Sequence, residues 1–187
     1  MNQGLQAFLR VLEALGLPHL AVGSVASSVH GLPRFTNDVD LLVGILPADV
    51  DVVATSLGAD FYMDPNEARK SIRLGRAFNV LHLQSASKID VFPVGSVEFH
   101  HSEMNRATLR DWTVPGCLGI RLPVASAEDT VLYKMSWYKA GGQVSDRQWT
   151  DLLGVATRND LDWKYIGHWA PRLGVEDLLQ RLRSEIA

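Results

Sequence analysis

Two aspartates, Asp38 and Asp40, stand two residues apart in the run Asp38-Val39-Asp40-Leu41-Leu42-Val43. The apolar residues around them predict a strand over 38–43. Side chains at i and i+2 of a strand share one face, about 6.6 Å apart along it. Val39, Leu41 and Val43 then face a core, while the two acids leave the opposite face. A third acid, Asp90, lies in Lys88-Ile89-Asp90-Val91-Phe92, again with apolar neighbours on both sides. Three carboxylates on adjacent strands repel one another unless a cation is present. Oxygen-only donors of this kind suit Mg²⁺, which binds one or two carboxylates together with substrate phosphates. Two such ions about 3.5–4 Å apart clamp an in-line phosphoryl displacement. Asp38, Asp40 and Asp90 are therefore candidate metal ligands and catalytic acids. An Asp-x-Asp pair alone also marks a solvated edge or a turn. Asp49 and Asp51 repeat the spacing, but they follow Pro47 in a helical pattern and read as surface residues.

Upstream, Gly23-Ser24 joins a short apolar strand, 19–22, to a helix of small residues, 25–30. A helix N-terminus with free N–H groups and a hydroxyl is a ready phosphate site. Glycine lets the backbone come close to a ligand. Serine at such a position is equally a plain N-cap. Thirteen residues separate Ser24 from Asp38.

The elements that hold these groups form two unlike parts. Leu5, Phe8, Leu9, Leu12 and Leu15 recur at helical spacing, which predicts a helix over 3–16, stopped by Gly16 and Pro18. Pro47 is expected to open a helix through about 57. Phe61 to Met63 reads as a short strand, and 65–75 as a polar helix or loop. Residues 77–84 and 88–94 read as strands joined in a hairpin. Residues 97–111 read as mixed and mostly helical. Residues 113–123, with Pro115, Gly116 and Gly119, read as irregular extended chain. Ser126-Ala127-Glu128-Asp129 has a capping-box pattern ahead of a helix. Three further helical stretches follow Gly141-Gly142, at 146–158, 160–172 and 175–186. The expectation is an α/β (α+β) chain: a small mixed sheet core flanked by helices over 1–124, and a helical part over 125–187.

The 187 residues suit one domain, or a core with an appendage. Apolar residues make up 47%, charged residues 21%, and the net charge is −3, which excludes extended disorder and bulk electrostatic coating of nucleic acid. Cys117 is the only cysteine, so an intrachain disulfide and a multi-cysteine zinc site are both excluded, and a reducing, cytoplasmic setting is expected. The apolar run 41–46 is far short of the roughly 20 residues of a membrane helix, so no membrane role is expected.

Gly23-Ser24, then Arg34-Phe35-Thr36-Asn37-Asp38-Val39-Asp40, then Ile89-Asp90-Val91 resembles the polymerase-beta-type nucleotidyltransferase superfamily. The helical back is similar to its minimal, abortive-infection toxin-like branch, through Glu128-Asp129, Lys134, and Arg147 with Asp151-Leu152. The resemblance covers roughly residues 18–155. It implies that Asp38, Asp40 and Asp90 hold Mg²⁺, with Asp90 also helping to deprotonate an attacking hydroxyl. It implies that Gly23, Ser24 and Lys134 hold the phosphates of a nucleoside triphosphate such as ATP, with Arg34 and Thr36 at the nucleotide or ordering its loop. The implied reaction moves a nucleoside monophosphate to a hydroxyl acceptor and releases pyrophosphate. That acceptor is an RNA 3′ end (tRNA included), a protein or a small molecule. The alternatives are an inert nucleotide- or partner-binding relative, as in a toxin–antitoxin pair with an antitoxin partner, and a metal-dependent phosphohydrolase.

Other residues read more plainly. Lys134 by itself is a surface lysine, and Asp151 is expected to cap its helix or pair with Arg147 at i−4. His100-His101 is no metal motif, because neighbours on a helix face apart. Trp137, Trp149, Trp163 and Trp169 are expected to pack the helical part. Arg69, Lys70, Arg73 and Arg76 form one basic stripe if 65–75 is helical, either a solvated face or a contact for a polyanion.

Overall fold

The computed structural model describes residues 2–33, 38–113 and 119–186. Seven strands form one mixed sheet: β1 (His19–Ala21), β2 (Asp38–Val43), β3 (Phe61–Tyr62), β4 (Phe78–His82), β5 (Ser87–Pro93), β6 (Thr108–Trp112) and β7 (Ile120–Val124). Their order across the sheet is β3-β4-β5-β2-β1-β7-β6. β2 runs antiparallel to β1 and parallel to β5, which lies on its other side. The helices of the front are α1 (Asn2–Ala14), α2 (Gly23–His30), α3 (Val50–Leu57), α4 (Pro65–Arg73) and α5 (Glu98–Arg106). The back is α6 (Ala127–Ala140), α7 (Asp146–Ala156), α8 (Trp163–Arg172) and α9 (Glu176–Ile186).

The local reasons are visible in the sequence. Leu5, Phe8, Leu9 and Leu12 of α1 are all buried, as their helical spacing requires. Asp64 caps α4, accepting from the Asn66 and Glu67 amides, with Pro65 at the first helical position. Ser126 caps α6, accepting from the Asp129 amide, and Asp162 caps α8. Buried side chains fall into two clusters. One joins the sheet to α1–α4 and the other unites α5–α9. Among the described residues, no helix is long and apolar enough to cross a membrane.

Three expectations are corrected. The helix after Pro47 starts only at Val50, because the Asp49 carboxylate accepts the Leu46 amide at 2.8 Å and holds 46–49 in a turn. Segment 97–111 is helical only to Arg106. Its remainder is the edge strand β6, four of whose five residues are exposed, so no burial period marks it. Segment 113–123 contains most of a regular strand, β7. Ile120, Leu122 and Val124 of β7 are buried, with the residues between them more exposed, a strand alternation masked by the glycines and proline before it.

Candidate active site

β2 and β5 bring the acids together. In their parallel register Asp40 lies beside Asp90, and Asp38 beside Lys88. Neighbouring strands are about 4.8 Å apart, so Asp40 and Asp90 face each other across that gap on one surface of the sheet. The Asp40 carboxyl is pushed above the usual carboxylate range, first by burial and then by the charges of Asp90 and Asp38. The Ser24 amide and the Lys134 ammonium pull it the other way. A residue that sequence reasoning missed answers part of this charge: Lys88 Nζ lies 2.9 Å from Asp90 Oδ2. Its spacing was the available signal, since Lys88 shares a strand face with Asp90. Among the described residues, no three His, Cys, Asp or Glu side chains are grouped closely enough to hold a metal as they stand. The donor set itself is all carboxylate, which fits Mg²⁺.

The turn into α2 is shaped around Asp40. Gly23 has φ +57°, and a β-carbon there would collide with the Asp40 carboxylate, its Cγ only 2.8 Å away. Glycine is therefore required on two counts, conformation and close approach. The next amide, Ser24 N–H, donates to Asp40 Oδ2 at 3.4 Å. The start of α2 thus turns the Ser24 N–H toward Asp40, at a helix N-terminus where anions are favoured.

The helical part supplies the opposite wall. Lys134 on α6 is buried, its side chain 7% exposed, and its Nζ lies 2.8 Å from Asp151 Oδ2 on α7. Lys134 is thus no plain surface lysine, and Asp151 has a partner on another helix. Ser24, Asp38, Asp40, Asp90, Lys134 and Asp151 all line one groove. Arg147 and Gln148 line it too; the sequence points to Arg147 only through the resemblance and beside Asp151, and nothing local distinguishes Gln148 from other polar residues of α7. Trp137 also departs from expectation. It is 44% exposed and sits at the groove, whereas Trp149 is buried in the helical cluster and Trp163 and Trp169 pack against it.

The remaining candidates sort as follows. Arg34 and Thr36 lie outside the described residues, as does Cys117. His100 and His101 bond the backbone carbonyls of Val94 and Gly95 and serve structure. The basic stripe on α4 is partly neutralised: Arg69 pairs with Asp51 at 2.8 Å and Lys70 with Glu67 at 3.6 Å. None of the four basic residues is among the described residues lining the groove. Glu128 and Asp129 tie three helices together. Arg106 bonds Glu128 at 2.7 Å, and the Tyr165 hydroxyl donates to Asp129 at 2.6 Å.

Behind that network, Glu103 of α5 is fully buried, and neither of its carboxyl oxygens has a hydrogen-bond partner. Burial, reinforced by the charge of Asp129, raises its pKa well above the ordinary value of 4.5. Below that value Glu103 is neutral in both folded and unfolded chains. As pH rises, the unfolded chain ionises while the folded one stays protonated, so stability falls until the folded group itself ionises. Each unit of pKa gap is worth about 1.4 kcal/mol. Glu103→Gln is expected to raise the unfolding midpoint at pH 8 by about 3 °C or more, with a negligible change at pH 4. Thermal scans across that range check this; a gain of equal size at both ends would remove the ionisation as its cause.

No family model matches the chain, and no curated protein matches it in sequence. Solved structures do resemble it in fold. One is the solution structure of the antibiotic-resistance factor ANT(2'')-Ia, at 11% identity and TM-score 0.54, covering 99% of this chain and 97% of the other. A second is the lincosamide antibiotic adenylyltransferase LnuA bound to lincomycin, at 12% identity and TM-score 0.50, covering 85% and 98%. At such identities the likeness is one of fold alone.

Proposed function

We propose that this chain is a Mg²⁺-dependent nucleotidyltransferase that moves a nucleoside monophosphate from a nucleoside triphosphate to the hydroxyl of a small molecule. The reading is carried by one observation: Asp40 and Asp90 are neighbours across β2 and β5, and the start of α2 closes on Asp40. Asp38, Asp40 and Asp90 would hold Mg²⁺, which when bound supplies charge neutralisation at the α-phosphate and at the leaving pyrophosphate. The protein's part is positioning and electrostatics. The amides at Gly23 and Ser24 and the ammonium of Lys134 bind the β- and γ-phosphates from two sides of the groove. Asp151 aims the Lys134 ammonium. Asp90 accepts the proton of the attacking hydroxyl. The hydroxyl oxygen forms the new bond to the α-phosphorus, the α–β bridge bond breaks, and pyrophosphate leaves.

A small acceptor is favoured over RNA by two observations. The basic stripe on α4 is partly paired with acids and lies apart from the groove. The LnuA structure of like fold is that of an adenylyltransferase for lincosamide antibiotics. Calorimetric titration of ATP, GTP, CTP and UTP, with and without Mg²⁺, tests the donor site without knowledge of the acceptor. Binding of a nucleotide only with Mg²⁺ is expected. Pyrophosphate release should then depend on a small polyhydroxylated acceptor. A well-folded protein that binds none of the four would overturn the reading, and acceptor-independent release of inorganic phosphate would make it a phosphohydrolase.

A further inference from the structure

Among the described residues, Trp137 is the one aromatic side chain of the helical part that is both substantially exposed and on the wall of the candidate site. It follows Lys134 by three residues on α6, which puts the two side chains on one helix face. Two rings brace it: Tyr133 stacks on it at 5.8 Å and 28°, and Phe92 meets it edge-on at 5.6 Å and 76°. Phe92 in turn lies two residues beyond Asp90 on β5, on the same face of the strand. The indole is thus held rigidly between the acid strand and the ammonium helix.

The pocket it closes is compact. Gly23, Ser24 and Asp40 form one side, Tyr133, Lys134 and Trp137 another, and Gln148 completes it. The Gln148 amide oxygen is buried without a hydrogen-bond partner, on a residue that lines this pocket. A buried acceptor of this kind is costly unless something donates to it. A planar, braced indole beside an unmet acceptor, one helical turn from a phosphate-binding ammonium, matches a nucleobase, which has a π-face and in-plane N–H donors.

We propose that Trp137 is the stacking platform for the base of the nucleotide donor, with Gln148 accepting an N–H from its edge. This rests on the nucleotidyltransferase reading above and adds the contact that holds the base. Stacking is a property of the base alone, so it separates cleanly from phosphate binding. The test is calorimetry in Mg²⁺ with two probes, the preferred nucleoside triphosphate and inorganic tripolyphosphate, on wild type, Trp137→Ala and Trp137→Phe. Because Trp137 is half-exposed, the variants should fold, which circular dichroism verifies. The expected result is that Trp137→Ala binds the nucleotide about tenfold more weakly, with tripolyphosphate affinity unchanged. Trp137→Phe should retain most of the nucleotide affinity. Unchanged nucleotide affinity in Trp137→Ala would overturn the platform and leave the transferase reading standing. An equal loss for both probes would also overturn it, since the effect would then lie at the phosphates. If wild type binds neither probe, the transferase reading falls and the platform with it.

Discussion

Asp40→Asn is expected to lower nucleotide transfer by about three orders of magnitude while leaving the fold in place. The loss follows from the position of Asp40. It faces Asp90 across the strand gap, accepts from the Ser24 amide at the start of α2, and packs against the Gly23 turn. Asparagine keeps an oxygen for the Ser24 amide but removes the charge. Several kcal/mol of transition-state stabilisation at the metal depend on that charge, and each 1.4 kcal/mol is about tenfold in rate. The fold should not suffer, because burial and the charges of Asp90 and Asp38 already act against the Asp40 carboxylate. The unfolding midpoint of the variant should equal or exceed that of wild type. Steady-state pyrophosphate release beside a thermal melt reads both quantities. A variant with wild-type turnover would remove Asp40 from the site. One that loses activity by unfolding would make it a structural residue.

The second large effect is at the Lys134–Asp151 pair. Asp151→Ala should destabilise the protein by about 1–3 kcal/mol, because it removes the carboxylate that bonds a buried ammonium, while the charge of Asp40 still acts on that ammonium. The two side chains are 7% and 11% exposed, so solvent screens the pair little. Replacing both partners, as Lys134→Met with Asp151→Leu, should recover most of that stability, since two apolar side chains of similar size need no counter-charge. Nucleotide binding should be weakened in both variants, as the phosphates lose their ammonium in one and its aim in the other. Chemical denaturation reads the stability difference and calorimetry the binding. A double variant as unstable as Asp151→Ala would show that packing, not charge, governs this site. If the double variant bound nucleotide like wild type, Lys134 would have no part in holding phosphates.

Together these variants separate two kinds of cost. On the proposed function, Asp40 carries charge that the fold tolerates and the chemistry needs. Lys134 and Asp151 carry charge that the fold itself must balance. The distinction comes from their surroundings. All three line one groove, but Asp40 lies beside other carboxylates, whereas Lys134 and Asp151 bond each other from α6 and α7.

Local order was legible in the sequence wherever it depends on short spacing. The alternation around Asp38 and Asp40, the Gly23-Ser24 turn and the capping serine of α6 each follow from backbone geometry within a few residues. So do the apolar stripe of α1 and the change to a helical back. The required glycine at position 23 could be suspected, but its reason, the approach of Asp40 from another strand, could not be read locally. Edge strand β6 escaped notice because exposure erases the burial period. Strand β7 did so because its alternation follows glycines and a proline.

The spacing of a single strand determined which acids could share a face, and the order of residues determined that a strand-to-helix turn, Gly23-Ser24, precedes them. Only the tertiary structure decided that Asp90 stands beside Asp40, since the register of β2 against β5 joins residues fifty positions apart. It also took Lys134 out of solvent, gave Asp151 a partner on another helix, and brought Trp137 to the groove instead of the helical core. The reason is physical. Spacing along a chain specifies which side chains leave the same face of one element. What they meet there depends on the packing of distant elements, whose apolar faces can be buried only in that arrangement.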